Sequence, residues 1–330
     1  ATVSPVFDEL PVGVITGSGV AQAFAVARAN RCALAAVNCV GSNSLNAVMQ
    51  TSGRWGVPVV IQFTHSGAAF LAGSGVPSDA HRAAIAGSLA GADHVHRLAE
   101  HHGARVILHT DHCAAHQLPW IDALIAEGER FHRANGRPLF SSHMLDLSAG
   151  PLDENIETCV RYLERLSAID MFLEVELGVT GGAEDGVDNS DVERRRLYTQ
   201  PEEVGEMYRR LAEVSPHFTI AAAFGNVHGV HRPGLVVLDP TILRESQRWI
   251  EQHLGTGPDP VDFVFHGGSG SSAEEIAEAI EYGVVKMNID TDLQWAFWDG
   301  VRRYAVENHG ALQTQICLLY TSDAADEGLG

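Results

Sequence analysis

The stretch LFSSHMLDLSAGPLDENIETCVRYLERLSAIDMFLEVELG, residues 139–178, reads as strand, helix and strand in succession. Its apolar runs, Leu139 to Asp146 and Met171 to Gly178, are short and largely continuous, as strands covered on both faces should be. Between them, Asp153 to Ser167 predicts an amphipathic helix. Two strands joined through a helix by short connections imply a parallel pair.

The same rhythm runs through most of the chain. Further apolar runs are Ala33 to Asn38, Val57 to Phe63, Ala104 to Asp111, Phe218 to Gly225, Asp262 to Gly268 and Val284 to Asp290. Helices are predicted over Pro119 to Asn135, Pro201 to Val214 and Ala273 to Tyr282. In the last of these, Ile276, Ala279 and Ile280 share one face, away from the glutamates. Eight such units match a closed (β/α)8 TIM barrel of the α/β class, with an open doubly wound sheet as the alternative. One barrel domain is expected over residues 1–312. Gly178 to Ser190, rich in glycine and acids, predicts a mobile loop after the fifth strand. The tail 313–330 loses the pattern and is expected to be irregular.

Composition narrows the function. The chain has 330 residues, 45% of them hydrophobic, enough to bury a large core. A net charge of −20 disfavours a nucleic-acid or anionic-membrane partner, because the mean field repels phosphates. No apolar run approaches the roughly 18 residues of a membrane span, and Ala1 to Pro11 lacks the form of a secretory signal. The five scattered cysteines, without a CxxC pair, suit a reducing cytoplasm. Lys286 is the only lysine.

In such a barrel, functional side chains gather where strands end. Those positions hold Asn38, Thr64, Asp111, His112, Asp146, Glu176, His228, His266, Asn288 and Asp290, a concentration of acids and imidazoles where carboxylates are otherwise costly. His112, His228 and His266 follow strands three, six and seven, and three imidazoles with an open fourth position are a catalytic zinc arrangement. Among seventeen histidines, any single one is more often just a hydrogen-bonded loop residue. Three at equivalent positions beside carboxylates favour the metal. His94, His96, His101 and His102 lie in a predicted helix and read as a solvated face. Asp146 and Glu176 could hold a second metal ion. Glu174 and Glu176 point to one face of their strand, as do Lys286 and Asn288 of theirs, so the lysine could neutralise an interior acid. The turn HGGSGSS, residues 266–272, precedes a helix, and glycine backbone with a helix N-terminus suits a phosphate.

Seven segments together resemble the class II fructose-bisphosphate aldolase family: NCVGSNSLNAV, HTDHCA, SSHMLDLS, LEVELGVTGGAEDGVDN, FGNVHGV, FHGGSGSSAEEI and VVKMNIDTDLQWA. They occur in family order from about Gly13 to Tyr304. The resemblance implies a zinc-dependent lyase of glycolysis and gluconeogenesis, a cytoplasmic homodimer acting on a phosphorylated sugar. It assigns His112, His228 and His266 to zinc, and Asp146 and Glu176 to a second divalent position. Asp111 would exchange a proton with the C4 oxygen, and Glu184 would move a proton at C3. Gly229, Gly267, Gly268, Ser269, Asn288, Asp290 and Thr291 would hold dihydroxyacetone phosphate, joined in the site by Asn38 and Thr64. A monovalent cation, Na+ or K+, is expected near Val227, Gly229 and Gly267. Thr64 stands where the family has a serine, and Ala183 replaces a neighbouring glutamate. The resemblance also implies further helices, with a phosphate-binding arginine, beyond Leu312. Their absence suggests a truncated reading frame or translated adapter. The rival readings are a tagatose 1,6-bisphosphate aldolase, a Schiff-base aldolase using Lys286, a barrel metallohydrolase and a truncated inactive aldolase.

Overall fold

A computed structural model of the chain describes residues 5–178, 181–184, 187–188, 197–228, 238–268 and 271–312. Contacts divide the chain into two compact units, Ala1–Ile289 and Asp290–Gly330. The tail 313–330 lies outside the described residues.

The first unit is built on eight parallel strands: β1 (Leu34–Asn38), β2 (Val59–Phe63), β3 (Arg105–Thr110), β4 (Ser142–Leu145), β5 (Phe172–Leu177), β6 (Phe218–Ala222), β7 (Phe263–Phe265) and β8 (Val284–Asn288). Each pairs with the next in sequence, and β8 pairs with β1 through Lys286 opposite Leu34, so the sheet closes on itself. A two-residue strand, Gly13–Val14, adds to β3 at Arg105 and Val106. Helices α1 (Ser18–Ala29), α2 (Ser42–Trp55), α3 (His65–Ala72), α4 (Arg82–Leu98), α5 (Leu118–Asn135), α6 (Leu152–Ser167), α7 (Pro201–Ala212), α8 (Thr241–Leu254) and α9 (Ala273–Glu281) alternate with them. The fold is the (β/α)8 barrel, and all eight apolar runs are its strands.

The strand period of two sorts each strand between core and interior. Ile61 and Phe63 on β2, Leu108 on β3 and Leu173 and Val175 on β5 enter the large apolar cluster with the helices. On the alternate positions, Val60, Ile107 and Phe172 form a second cluster with Val20 and Phe24 of α1, where the Phe24 and Phe172 rings meet edge-on at 6.0 Å. Following that face along each strand leads to Gln62, to His109 and Asp111, and to Glu174 and Glu176, all buried. One end of the interior is apolar and the other ionisable.

Two expectations change in detail. Within Gly178 to Ser190, Gly181–Glu184 and Val187–Asp188 pair as an antiparallel hairpin, and Val227–His228 adds a third strand parallel to the first. The remainder of that loop lies outside the described residues. On α4, His94 and His96 are half-buried rather than solvated. His94 meets the Asn46 side chain at 2.8 Å and His96 the Leu139 carbonyl at 2.8 Å.

Helices α3 and α4 touch backbone to backbone: a Cβ at Gly87 would lie 1.7 Å from the Ala68 carbonyl oxygen. Only glycine permits that approach. Gly87→Ala should therefore lower stability by about 1–3 kcal/mol, the usual cost of overpacking. The change should appear as a lower urea midpoint at unchanged slope.

Candidate metal centre

Each site residue occupies a strand end for a local reason. Asp111 and His112 follow β3 directly. The Asp111 N–H donates to the Phe63 carbonyl at 2.8 Å, continuing the ladder one residue past the strand. His112 then takes a positive φ of 33°, which turns the chain away from the sheet. His266 follows β7 and is succeeded by Gly267 at φ 59°, a left-handed position that suits glycine. Asn226 donates to the His266 carbonyl at 3.0 Å and fixes that corner.

The rings of His112 and His266 lie 4.7 Å apart. Around them stand four carboxylates. His266 Nδ1 is 3.2 Å from Glu176 and its Nε2 is 3.0 Å from Glu174. His112 Nδ1 is 3.4 Å from Glu176 and 3.6 Å from Asp146, and its Nε2 is 3.9 Å from Asp111. Lys286 donates to Glu174 at 2.9 Å and to Asn288 at 2.8 Å, so the lysine neutralises an interior acid as its strand position predicts. Asp111, Glu174, Glu176, His266 and Lys286 are each at most 2% exposed.

Burial opposes the charge on Asp111, His112, Glu174, Glu176 and His266, and neighbours overrule it. Burial would raise the Asp111 carboxyl, yet His112, Lys286, His266 and His109 hold it below its ordinary value. Glu174 is kept well below the carboxylate range against burial by Lys286, His109 and His266. His266 and His112 likewise bring Glu176 down. Burial would lower His266, but Glu176 and Glu174 raise it to about 9. His112 is also raised, by Asp111, Asp146 and Glu176.

The charge balance gives the chemistry of the donor set. Four carboxylates face one lysine, a formal excess of three negative charges. Protonating both imidazoles supplies two positive charges, and one divalent cation supplies the same two while leaving the rings neutral as ligands. Donor atoms of Asp111, His112 and His266 lie within 4.8 Å of one another, as do those of His112, Asp146 and Glu176, and those of His109, Asp111 and Glu174. Imidazole and carboxylate donors gathered in a buried pocket fit a divalent metal ion.

The other sequence-predicted residues distribute as follows. Asn38 and Asn288 both donate to Asp111, at 3.2 Å each, and Thr64 accepts from the Gly67 N–H as the N-cap of α3. The backbone of His228 pairs opposite Gly182, and that of Glu184 opposite Val187. The side chains of His228, Glu184 and Val227, together with Gly229 and Ser269, lie outside the described residues. Asp290 and Thr291 open the second unit, where Asp290 accepts from Gln294 at 2.8 Å. Gly267 and Gly268 lie beside His266, ahead of α9. The end of that helix is already capped, because Ser272 accepts from the Glu275 N–H and Glu275 accepts from the Ser272 N–H.

Gln62 and His109 were not singled out by position, although both belong to the network. Gln62 donates to Asp111 at 2.8 Å, and His109 lies 3.7 Å from Glu174 and 2.7 Å from the Ser142 hydroxyl. Each lies two residues before a predicted site residue, Thr64 and Asp111, so the strand period carried the signal. Lys286, ion-paired and 2% exposed, is poorly placed as a Schiff-base nucleophile.

The family described as "Fructose-bisphosphate aldolase class-II" matches residues 18–325. Fructose-bisphosphate aldolase class 2 of Escherichia coli (strain K12) is 57% identical over 314 residues, covering 95% of this chain and 88% of the relative. Fructose-bisphosphate aldolase of Haemophilus influenzae is 54% identical over 310 residues, covering 94% and 86%. The crystal structure of fructose-bisphosphate aldolase from Campylobacter jejuni superposes with a TM-score of 0.84 at 49% identity, covering 94% of this chain and 87% of that one.

Removing one partner of a buried ion pair leaves an uncompensated charge. Lys286→Met should cost about 3–5 kcal/mol in urea unfolding of the metal-free protein. A cost within experimental error of zero would mean that Glu174 is not held as a carboxylate.

Proposed function

Because the chain belongs to the class II fructose-bisphosphate aldolase family, we propose that it reversibly cleaves fructose 1,6-bisphosphate to dihydroxyacetone phosphate and glyceraldehyde 3-phosphate. The chain is an aldehyde-lyase of a class that works with a divalent metal. In this reading the ion is zinc, held by His112, His228 and His266, with Asp146 and Glu176 as a second divalent position. The observation that carries it is the excess of buried carboxylates around two facing imidazoles. When bound, the ion supplies Lewis acidity beside the carbonyl from which the electrons of the breaking bond draw stabilisation.

The chain's own residues move the protons. Cleavage of C3–C4 leaves the bonding pair on C3 and converts the C4 hydroxyl into an aldehyde, so the hydroxyl proton needs an acceptor. Asp111 is suited to that role: its carboxyl is ionised, and Asn38, Gln62 and Asn288 fix both its oxygens. Glu184 returns a proton to C3 of the departing triose. Its strand pairs with Val227–His228, which ties the proton-carrying hairpin to the segment bearing the third imidazole. Gly229, Gly267, Gly268, Ser269 and Asn288 hold the triose phosphate, with Thr64 beside them. Na+ or K+ sits near Val227, Gly229 and Gly267. A cytoplasmic homodimer completes the reading. Among the described residues no helix is long and apolar enough to cross a membrane.

The test is release of triose phosphate from fructose 1,6-bisphosphate. Chelation should abolish it and added zinc restore it. Asp111→Asn should lower kcat by about 10^2–10^4, the usual share of one acid–base group, with zinc content unchanged. Chelator-resistant cleavage with a borohydride-trapped Lys286 would instead support the Schiff-base route, and ester hydrolysis without triose phosphate a metallohydrolase.

A further inference from the structure

Where the chain leaves β3 it carries one residue more than the segment it runs beside. Thr110 pairs with His143 in the ladder between β3 and β4. The next pairing along the same edge is Ala114 with Asp146. From the first pair to the second, the β3 side advances four residues and the β4 side three. A surplus residue of this kind is a β-bulge, which bends its strand and re-aims a side chain, often beside an active site. Both ends of the bulge are tied. The Asp111 N–H donates to the Phe63 carbonyl at 2.8 Å, and the Cys113 carbonyl accepts from the Asp146 N–H at 2.9 Å.

His112, in the middle, carries the distortion. Its φ of 33° lies in the left-handed region that residues with a Cβ avoid, and such a conformation persists where the surroundings fix it. Its N–H donates to the thioether sulfur of Met144 on β4, at 3.3 Å. Met144 is fully buried and pairs in register with Glu174. Ser142, one strand period earlier, meets the His109 ring, so this face of β4 looks into the ionisable half of the barrel. A thioether suits that place, being a weak and neutral acceptor flexible enough to follow an irregular backbone. A carboxylate in its stead would join Asp111, Asp146, Glu174 and Glu176 and deepen the negative excess.

We propose that Met144 is a positioning residue for the metal: by accepting the His112 N–H it holds the bulge so that the His112 ring faces the ion. This role rests on the assignment of His112 to zinc. With Asp111 tied to β2 and Cys113 to Asp146, the bond to sulfur fixes the peptide plane from which the ring departs. That ring lies 4.7 Å from the His266 ring, 3.4 Å from Glu176 and 3.6 Å from Asp146. A turn of its backbone would carry it away from all three.

Met144→Leu tests the role, because it keeps an apolar side chain of similar volume and removes only the acceptor. Zinc affinity is read by competition with a chromogenic chelator. The His112 amide is read by NMR of protein labelled with 15N-histidine, which limits the backbone signals to seventeen residues. His112→Asn identifies the resonance by removing it and keeps a residue that tolerates the turn. Met144→Leu should weaken zinc binding by about 10-fold, the low end of what loss of a ligand's outer-sphere partner costs. In the metal-free protein its His112 amide should shift and exchange its proton faster than in wild type. Met207→Leu, at a buried methionine of α7, should change neither reading. Unchanged zinc affinity in Met144→Leu, with zinc binding lost in His112→Asn, would overturn the positioning role and leave the zinc assignment standing. Weaker zinc binding with an unmoved His112 amide would also overturn it, since packing would then account for the loss. Equal zinc affinity in wild type and His112→Asn would overturn both.

Discussion

Glu174 and Glu176 stand two residues apart on β5 with their carboxylates inside the barrel, and a carboxylate so placed persists only beside positive charge. Every other feature of the centre answers that requirement. Lys286 reaches Glu174 from β8 on the far side of the ring, and His266 bridges both glutamates from the end of β7. His112 faces Glu176, Asp146 and Asp111 from the end of β3. These groups come from strands spaced around a closed sheet, β5 lying two strands from β3 and β7 and three from β8, so closure of the barrel is what brings the charges within range.

The division of the interior follows from the same pleat. Val60, Ile107 and Phe172 fill one end with α1 packed against them, and the residues two positions further on are polar or ionisable. A single alternation thus makes half of the interior a hydrophobic foundation and the other half a receptor for cations. The foundation closes one end of the interior, and burial strengthens the charge contacts among Glu174, Glu176, His266 and Lys286. Asp111 is the clearest case: three amides and the surrounding cations keep it ionised where burial alone would neutralise it.

Most of the barrel was legible in the sequence because each strand is a short apolar run bounded by polar residues. The runs around β1 to β8 needed no long-range information. The helix over Pro201–Ala212 likewise ends close to its predicted boundary. Positions at strand ends named Asp111, His112, Asp146, Glu176 and His266 for the same reason. What escaped depends on contacts between distant segments. The hairpin Gly181–Glu184 with Val187–Asp188 has a glycine-rich composition that argues for a loop, and its pairing with Val227–His228 is a tertiary fact. His94 looked solvated because its partner, Asn46, lies 48 residues away. Gln62 and His109 lie one strand period inside the rim, where position at the strand end gave no warning. The contact of His112 with Met144 depends on a bulge between β3 and β4 that no sequence pattern announces.

The account turns on a divalent ion taking the place of the two imidazolium protons between His112 and His266. Anomalous diffraction at the zinc edge from a zinc-loaded crystal tests this directly. The predicted result is a peak about 2.0–2.1 Å from a ring nitrogen of each of His112 and His266, with the Lys286–Glu174 pair intact. A peak remote from both rings, or both histidines still paired only with carboxylates in a zinc-saturated crystal, would contradict it.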